Sequence, residues 1–141
     1  MTVLFAIDSF KGSCTSAEAC AWAAEGFRRG WPGAETRCLP VADGGEGTVA
    51  AFLAACGGRT VEAAVSDPFG RPIQAKAAVL SSGAGVLETA AASGLPLLTT
   101  EERDPWRASS YGSGQLLRRL LDEGCVDIPV SYTHLRPTRL R

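Results

Sequence analysis

Two short apolar runs, residues 2–7 and 36–39, each pass through a turn dense in charge and glycine and then into a helical pattern. This repeated strand–turn–helix is what most restricts the fold. The first run is apolar and β-branched at Val3 and Ile7, as a buried strand requires. After the polar residues 8–13, Thr15-Ser16-Ala17-Glu18 carries a capping-box pattern. Ala17, Ala21, Ala24 and Phe27 then recur at helical spacing to about Arg29, where Gly30 and Pro32-Gly33 stop the helix. Residues 48–56 read as a second helix, ended by Gly57-Gly58. Strands and helices alternating through short joints predict an α/β fold that opens with a Rossmann-like parallel-sheet lobe.

The pattern changes after Gly58. Residues 60–65 and 73–80 read as strands around the turn Asp67-Pro68-Phe69-Gly70-Arg71-Pro72, and residues 86–88 as a short third strand. This β-meander predicts the start of a second α/β lobe. A last helix, residues 113–123, carries Leu116, Leu117, Leu120 and Leu121 on one face and is closed by Gly124. The expected division is 1–66 for the N-terminal part of the first lobe and 67–127 for the start of the second.

Bulk properties narrow the partners. With 45% hydrophobic residues in 141, the chain can build a core, and its net charge of -1 exerts no pull toward nucleic acid or an anionic membrane. No apolar run reaches the roughly 18 residues of a spanning helix, and the N-terminus lacks the basic start of a secretory signal. The five cysteines are odd in number and widely spaced, with no C-x-x-C pair, which predicts reduced thiols in the cytosol.

In an open parallel sheet, ligands gather at the carboxyl ends of the strands. Two turns leave such ends: Asp8-Ser9-Phe10-Lys11-Gly12-Ser13 and Ala42-Asp43-Gly44-Gly45-Glu46-Gly47. Both lead into helix N-termini, which favour anions such as phosphate. Of 14 Lys and Arg residues only Lys11 and Lys76 are lysine. An ammonium at Lys11, in a chain that otherwise uses arginine, suits a phosphate oxygen. Asp8 and Asp43 can hold Mg²⁺ or take a proton from a hydroxyl substrate, whereas Glu46 also suits the first turn of a helix. Glu88 places an acid at a later strand end, before the small residues Ala90 to Gly94. Ser109-Ser110-Tyr111-Gly112-Ser113-Gly114 opens the last helix with hydroxyls and glycines that serve either as a cap or as an anion site.

Absent motifs discriminate between classes. There is no G-x-x-x-x-G-K-[ST] and no G-x-G-x-x-G after the first strand, which argues against a P-loop enzyme and a dinucleotide oxidoreductase. No G-x-S-x-G is present, and the single histidine, His134, lies in an odd tail, so a hydrolase triad is disfavoured. The residues alone leave open a non-catalytic α/β module that binds an anionic metabolite.

Residues 6–13 resemble the opening of the type-1 glycerate kinases, which typically reads APDSFKGS, and residues 39–48 resemble that family's LPMADGGEGT. Residues 90–95 are similar to its MAAASGL and residues 109–114 to its TSYGTGEL, all in the same order. The resemblance runs from about residue 2 to about residue 127. It implies ATP-dependent phosphorylation of glycerate, in a cleft between two α/β lobes of which the second is inserted into the first. By this resemblance Asp8, Ser9, Lys11, Asp43 and Glu46 line the cleft. Lys11, Asp8 and Asp43 are then the catalytic candidates. Ser9, Gly12, Ser13, Gly44, Gly45, Glu46, Ser93, Ser110 and Gly112 are candidates for substrate or phosphate, and Asp8, Asp43 and Glu88 for Mg²⁺. From Ile128 the chain departs from the family pattern, so residues 128–141 read as a tail foreign to it. Well over half of the family chain is missing, and a fragment of this kind is expected to be inactive alone.

Overall fold

The computed structural model describes residues 1–10 and 12–131, which fall into two compact units, Met1–Asp43 and Gly44 onward. Lys11 and the histidine of the tail, His134, lie outside the described residues.

The first unit is β1 (Thr2–Phe5), α1 (Ser16–Gly30) and β2 (Glu35–Cys38). The strands pair in parallel, from Thr2 opposite Glu35 to Phe5 opposite Cys38. The capping box forms as its spacing requires: the Glu18 amide donates to Thr15 Oγ1 at 3.3 Å, and the Thr15 amide to Glu18 Oε2 at 2.8 Å. Phe27 meets Phe5 edge-on, with ring centroids 6.0 Å apart. β1 ends at Phe5 rather than at Ile7. The buried apolar residues of this unit are small, namely Ala19, Cys20, Ala24 and Ala34, while Leu4, Trp22 and Trp31 are exposed.

The second unit contains α2 (Thr48–Cys56), β3 (Gly58–Ser66), β4 (Pro72–Leu80), β5 (Gly85–Glu88), α3 (Ala90–Ser93), a 3-10 turn (Leu95–Leu97), α4 (Tyr111–Asp122) and β6 (Val130–Ser131). Its sheet has the order β3-β4-β5-β6. The expected meander is present, with β3/β4 and β4/β5 antiparallel, and β6 adds a short parallel pairing to β5. The 66/67 boundary falls between β3 and the turn that leads to β4.

β4 is covered on both faces, and its alternation shows how. Ala75, Ala77 and Val79 pack with Leu116 and Leu120 of α4, whereas Ala78 and Leu80 pack with Val49 and Leu53 of α2. Alanine at 75, 77 and 78 suits a strand with helices against both faces. The leucine face expected on α4 divides: Leu116 and Leu120 are fully buried, Leu117 is partly buried, and Leu121 is exposed. At about 100° per residue, positions 116 and 120 share one stripe, and 121 turns away from it. Full burial of each leucine contributes roughly 1.5–3 kcal/mol.

Candidate functional site

The first cluster sits where β1 and β2 end. The ladder carries past the assigned strands to one rung, the Leu39 amide donating to the Phe5 carbonyl at 2.8 Å. Beyond it the chain forms the two expected loops. Asp8 is half-buried, and its Oδ1 accepts the Ser9 amide at 2.7 Å, leaving its other oxygen outside that bond. A tight turn follows, in which the Ser13 and Cys14 amides donate to the Phe10 carbonyl at 2.8 and 3.1 Å and Gly12 takes φ +73°. The Ser16 hydroxyl ties the two loops together. It donates to the Ile7 carbonyl at 2.5 Å and accepts the Val41 amide at 3.0 Å. Asp8 and Ser9 thus follow β1 and Asp43 follows β2, in loops that leave the carboxyl ends of two paired parallel strands. Lys11, the cation expected there, lies outside the described residues.

A second group forms at the carboxyl ends of β3 and β5, which run in the same direction on either side of β4. Gly44 and Gly47 take φ +92° and +94°, a left-handed conformation that glycine adopts without a Cβ penalty. They form the turn into α2 around the buried Gly45. Glu46 precedes the N-cap Gly47, so it lies outside the helical turn expected for it, and the first turn of α2 holds no acid. The acid that serves this helix end comes from β5. Glu88 Oε1 accepts the Val49 amide at 2.8 Å, and the amides of Gly47 and Thr48 also act on its carboxylate. Burial pushes the Glu88 carboxyl above its ordinary range, with the Glu46 charge adding to the rise, while the three amides pull it back. Glu88 is therefore a helix cap reaching from a strand 39 residues away. These amides act on the same carboxylate that the sequence marks as a candidate metal ligand.

Neither N-terminus expected to cradle a phosphate is bare. Thr15 and Glu18 fill that of α1, and Glu88 fills that of α2. The start of α4 is built differently. Ser110 is its N-cap and is exposed, with no side-chain cap bond, while the Tyr111 amide donates to Ser109 Oγ at 3.1 Å. Gly112 is a packing position: a Cβ there would meet the Ser66 carbonyl oxygen at 1.7 Å. On the same helix, Gln115 Oε1 accepts the Ser66 amide at 2.8 Å, so α4 grips the end of β3 through both of that residue's backbone groups. Ser113 Oγ donates to the Thr89 carbonyl at 3.1 Å, which leaves Ser93 as the donor in the 2.7 Å Ser93–Ser113 pair. Ser93 thus anchors α3 to α4.

Sequence reasoning missed the roles of Ser16 and Gln115, the tie from Ser113 to Thr89, and the Asp67–Arg71–Glu102 network. Asp67 is buried and accepts the amides of Phe69 and Arg71, each at 2.8 Å, together with the Arg71 guanidinium. Burial opposes its ionisation, but these donors prevail and hold its carboxyl below the usual range. Arg71 also reaches Glu102 at 2.6 Å, which ties the 98–110 loop to the β3–β4 turn. The Ser109 amide bonds the Pro68 carbonyl at 2.9 Å and adds a second tie just before α4. An Asp four residues before an Arg across a Pro-Phe-Gly turn is a readable signal for the first pair. Nothing local pointed to Ser16 or Gln115, and the hydroxyl-rich segment 109–114 gave no sign that Ser113 bonds the Thr89 carbonyl; the partners are backbone groups distant in sequence. Among the described residues no three His, Cys, Asp or Glu side chains cluster as a metal site.

The chain matches the sequence model of the glycerate kinase family over residues 3–132. It is 42% identical over 125 residues to the glycerate kinase of Bacillus subtilis (strain 168), covering 88% of this chain and 33% of that protein. It is 40% identical over 129 residues to the glycerate 2-kinase of Escherichia coli (strain K12), covering 91% and 34%. A crystal structure assigned to glycerate kinase 2 of Salmonella typhimurium LT2 superposes with a TM-score of 0.78 at 39% identity, covering 93% of this chain and 35% of that one. The chain therefore spans about a third of the length of the relatives it matches.

Proposed function

Because this chain belongs to the glycerate kinase family, we propose that the intact enzyme containing it transfers the terminal phosphoryl group of ATP to a hydroxyl of glycerate. The observation that carries this reading is the family match over residues 3–132, within which Asp8 and Asp43 follow the carboxyl ends of two paired parallel strands. Phosphoryl transfer needs mainly positioning and charge stabilisation. In this reading Lys11 bears on a phosphate oxygen, and one of the two aspartates accepts the substrate hydroxyl proton. In the same reading Ser9, Gly12 and Ser13 of the first unit bear on substrate or phosphate, and Gly44, Gly45, Glu46 and Ser110 of the second are candidates for the same role.

The chemistry fits Mg²⁺ held by one or two carboxylates together with phosphates and water, the usual way this ion meets nucleotides. Asp8 and Asp43 are the first candidates to hold it, and Glu88, whose Oε1 accepts the Val49 amide, is the third. When bound, the ion neutralises charge on the phosphates. The reading places the protein in the cytosol, in keeping with five free thiols, and without nucleic-acid or membrane partners. Among the described residues no helix is long and apolar enough to cross a membrane.

The 141-residue chain has little or no activity alone. A coupled ADP-release assay with glycerate, ATP and Mg²⁺ tests both statements, with turnover expected from the intact enzyme and none from this chain. A rate near about 1 s⁻¹ from this chain, within the ordinary enzyme range, would refute its inactivity. An intact enzyme that binds glycerate but ignores ATP and Mg²⁺ would mark a metabolite-binding module instead.

A further inference from the structure

We propose that Ser16 is a positioning residue for the two acid-bearing loops: its hydroxyl takes the place of one rung of the β1–β2 ladder and sets the gap between the chains that carry Asp8 and Asp43. The link to catalysis rests on the kinase reading above; the structural part does not. The ladder has rungs from the Glu35 amide to the Met1 carbonyl at 3.1 Å and from the Leu39 amide to the Phe5 carbonyl at 2.8 Å. Rungs of a parallel pair repeat every two residues along each strand. The next in this series would join the Val41 amide to the Ile7 carbonyl. Instead, Ser16 Oγ stands between these two groups, donating to the Ile7 carbonyl at 2.5 Å and accepting the Val41 amide at 3.0 Å.

A direct rung holds N and O about 2.9 Å apart; two bonds in series through an oxygen hold them farther apart. The strands therefore splay at the residues that precede the acids. Asp8 follows Ile7 directly, and Asp43 lies two residues beyond Val41. Ser16 is the first residue of α1, and that helix end is fixed by the Thr15–Glu18 box. Cys20, one turn on, brings its thiol to 3.4 Å from the Phe5 carbonyl. The hydroxyl is thus held against the strand ends by a helix that is itself anchored there. Without it, either the Val41 amide loses its partner and the Ile7 carbonyl is left to the Cys20 thiol at 3.9 Å, or the strands close by one rung and carry the acid loops with them. A misplacement of about 1 Å in a phosphoryl-transfer site is enough to cost roughly 100-fold in rate.

The test compares Ser16→Ala, Ser16→Cys and Ser16→Thr. In the 141-residue chain, amide exchange at Val41 is expected to quicken about tenfold in Ser16→Ala and Ser16→Cys, the scale of one lost hydrogen bond, and to stay near wild type in Ser16→Thr. Ser16→Cys is near-isosteric, so it decides the matter if Ser16→Ala does not fold. In the intact enzyme, kcat is expected to fall roughly 10- to 100-fold in Ser16→Ala with KM changed less than about threefold, and Ser16→Thr to restore it. Unchanged Val41 exchange in both Ser16→Ala and Ser16→Cys overturns the inserted rung. Altered exchange with unchanged kcat overturns the positioning role. An intact wild-type enzyme that does not phosphorylate glycerate overturns the kinase reading, while the exchange measurement still decides the rung.

Discussion

Glu88 and Asp67 are carboxylates whose surroundings act in opposite directions. Glu88 ionises less readily in the folded chain than in the unfolded one, first because it is buried. Its contribution to stability is therefore full below about pH 4.3, the ordinary glutamate value, and is lost as pH rises through its folded value. Glu88→Gln keeps an oxygen for the α2 amides without the charge. Relative to wild type it should gain stability between about pH 4 and pH 7, whereas Glu88→Ala should lose about 1 kcal/mol at neutral pH with the cap. Urea titrations at the two pH values check both. Asp67 is the reverse case, since its donors hold its folded value low. Its stabilisation is present above about pH 3.9 and disappears as pH falls through the folded value. Asp67→Asn should cost about 2 kcal/mol at pH 7 by weakening charge-assisted bonds, and the loss should shrink on acidification. Thermal melts across the acid range would show a parallel offset instead if Asp67 were merely a space-filling residue.

At the level of elements, α4 is the piece on which the second unit is assembled. Its first turn presses on the end of β3, and its Leu116 and Leu120 fill the main core with Leu87 and Val65. Gly112→Ala sets a Cβ against the Ser66 carbonyl oxygen, which cannot yield without moving β3 or α4. The expected loss is about 1–3 kcal/mol, the range for overpacking, and Gly114→Ala, where a Cβ meets open space, serves as the control that should not destabilise. Equal effects at the two positions in denaturant melts would contradict the close approach. The contrast also separates two meanings of glycine in one motif. In the segment from Ser109 to Gly114 the glycines and hydroxyls suit either a cap or an anion site, yet Gly112 is demanded by packing between α4 and β3.

At the scale of the whole molecule, the two units differ in what they bury. Among the described residues, the first holds only alanines and one cysteine as its buried apolar residues and leaves Leu4, Trp22 and Trp31 exposed, whereas the second has two apolar clusters around β4. Little apolar burial means weak resistance to local opening. Native-state amide exchange should therefore be slowest in β3, β4 and α4 and markedly faster in β1 and β2, so that Val3 exchanges before Val65. Protection of equal size in both units would refute the difference. Much of this architecture was legible in the chain itself. Strand alternation, the Thr15–Glu18 box and the glycine stops of α2 act over a few residues, and local periodicity and capping determined those elements. So did the four family-like motifs, in their order. What only the tertiary structure decided were the ties between distant residues: Ser16 between two strand ends, Glu88 on a helix 39 residues before it, and Gly112 against Ser66. Each joins a side chain or a missing Cβ to a backbone group that gains its position only when the sheets form, so no spacing along the chain carries the information.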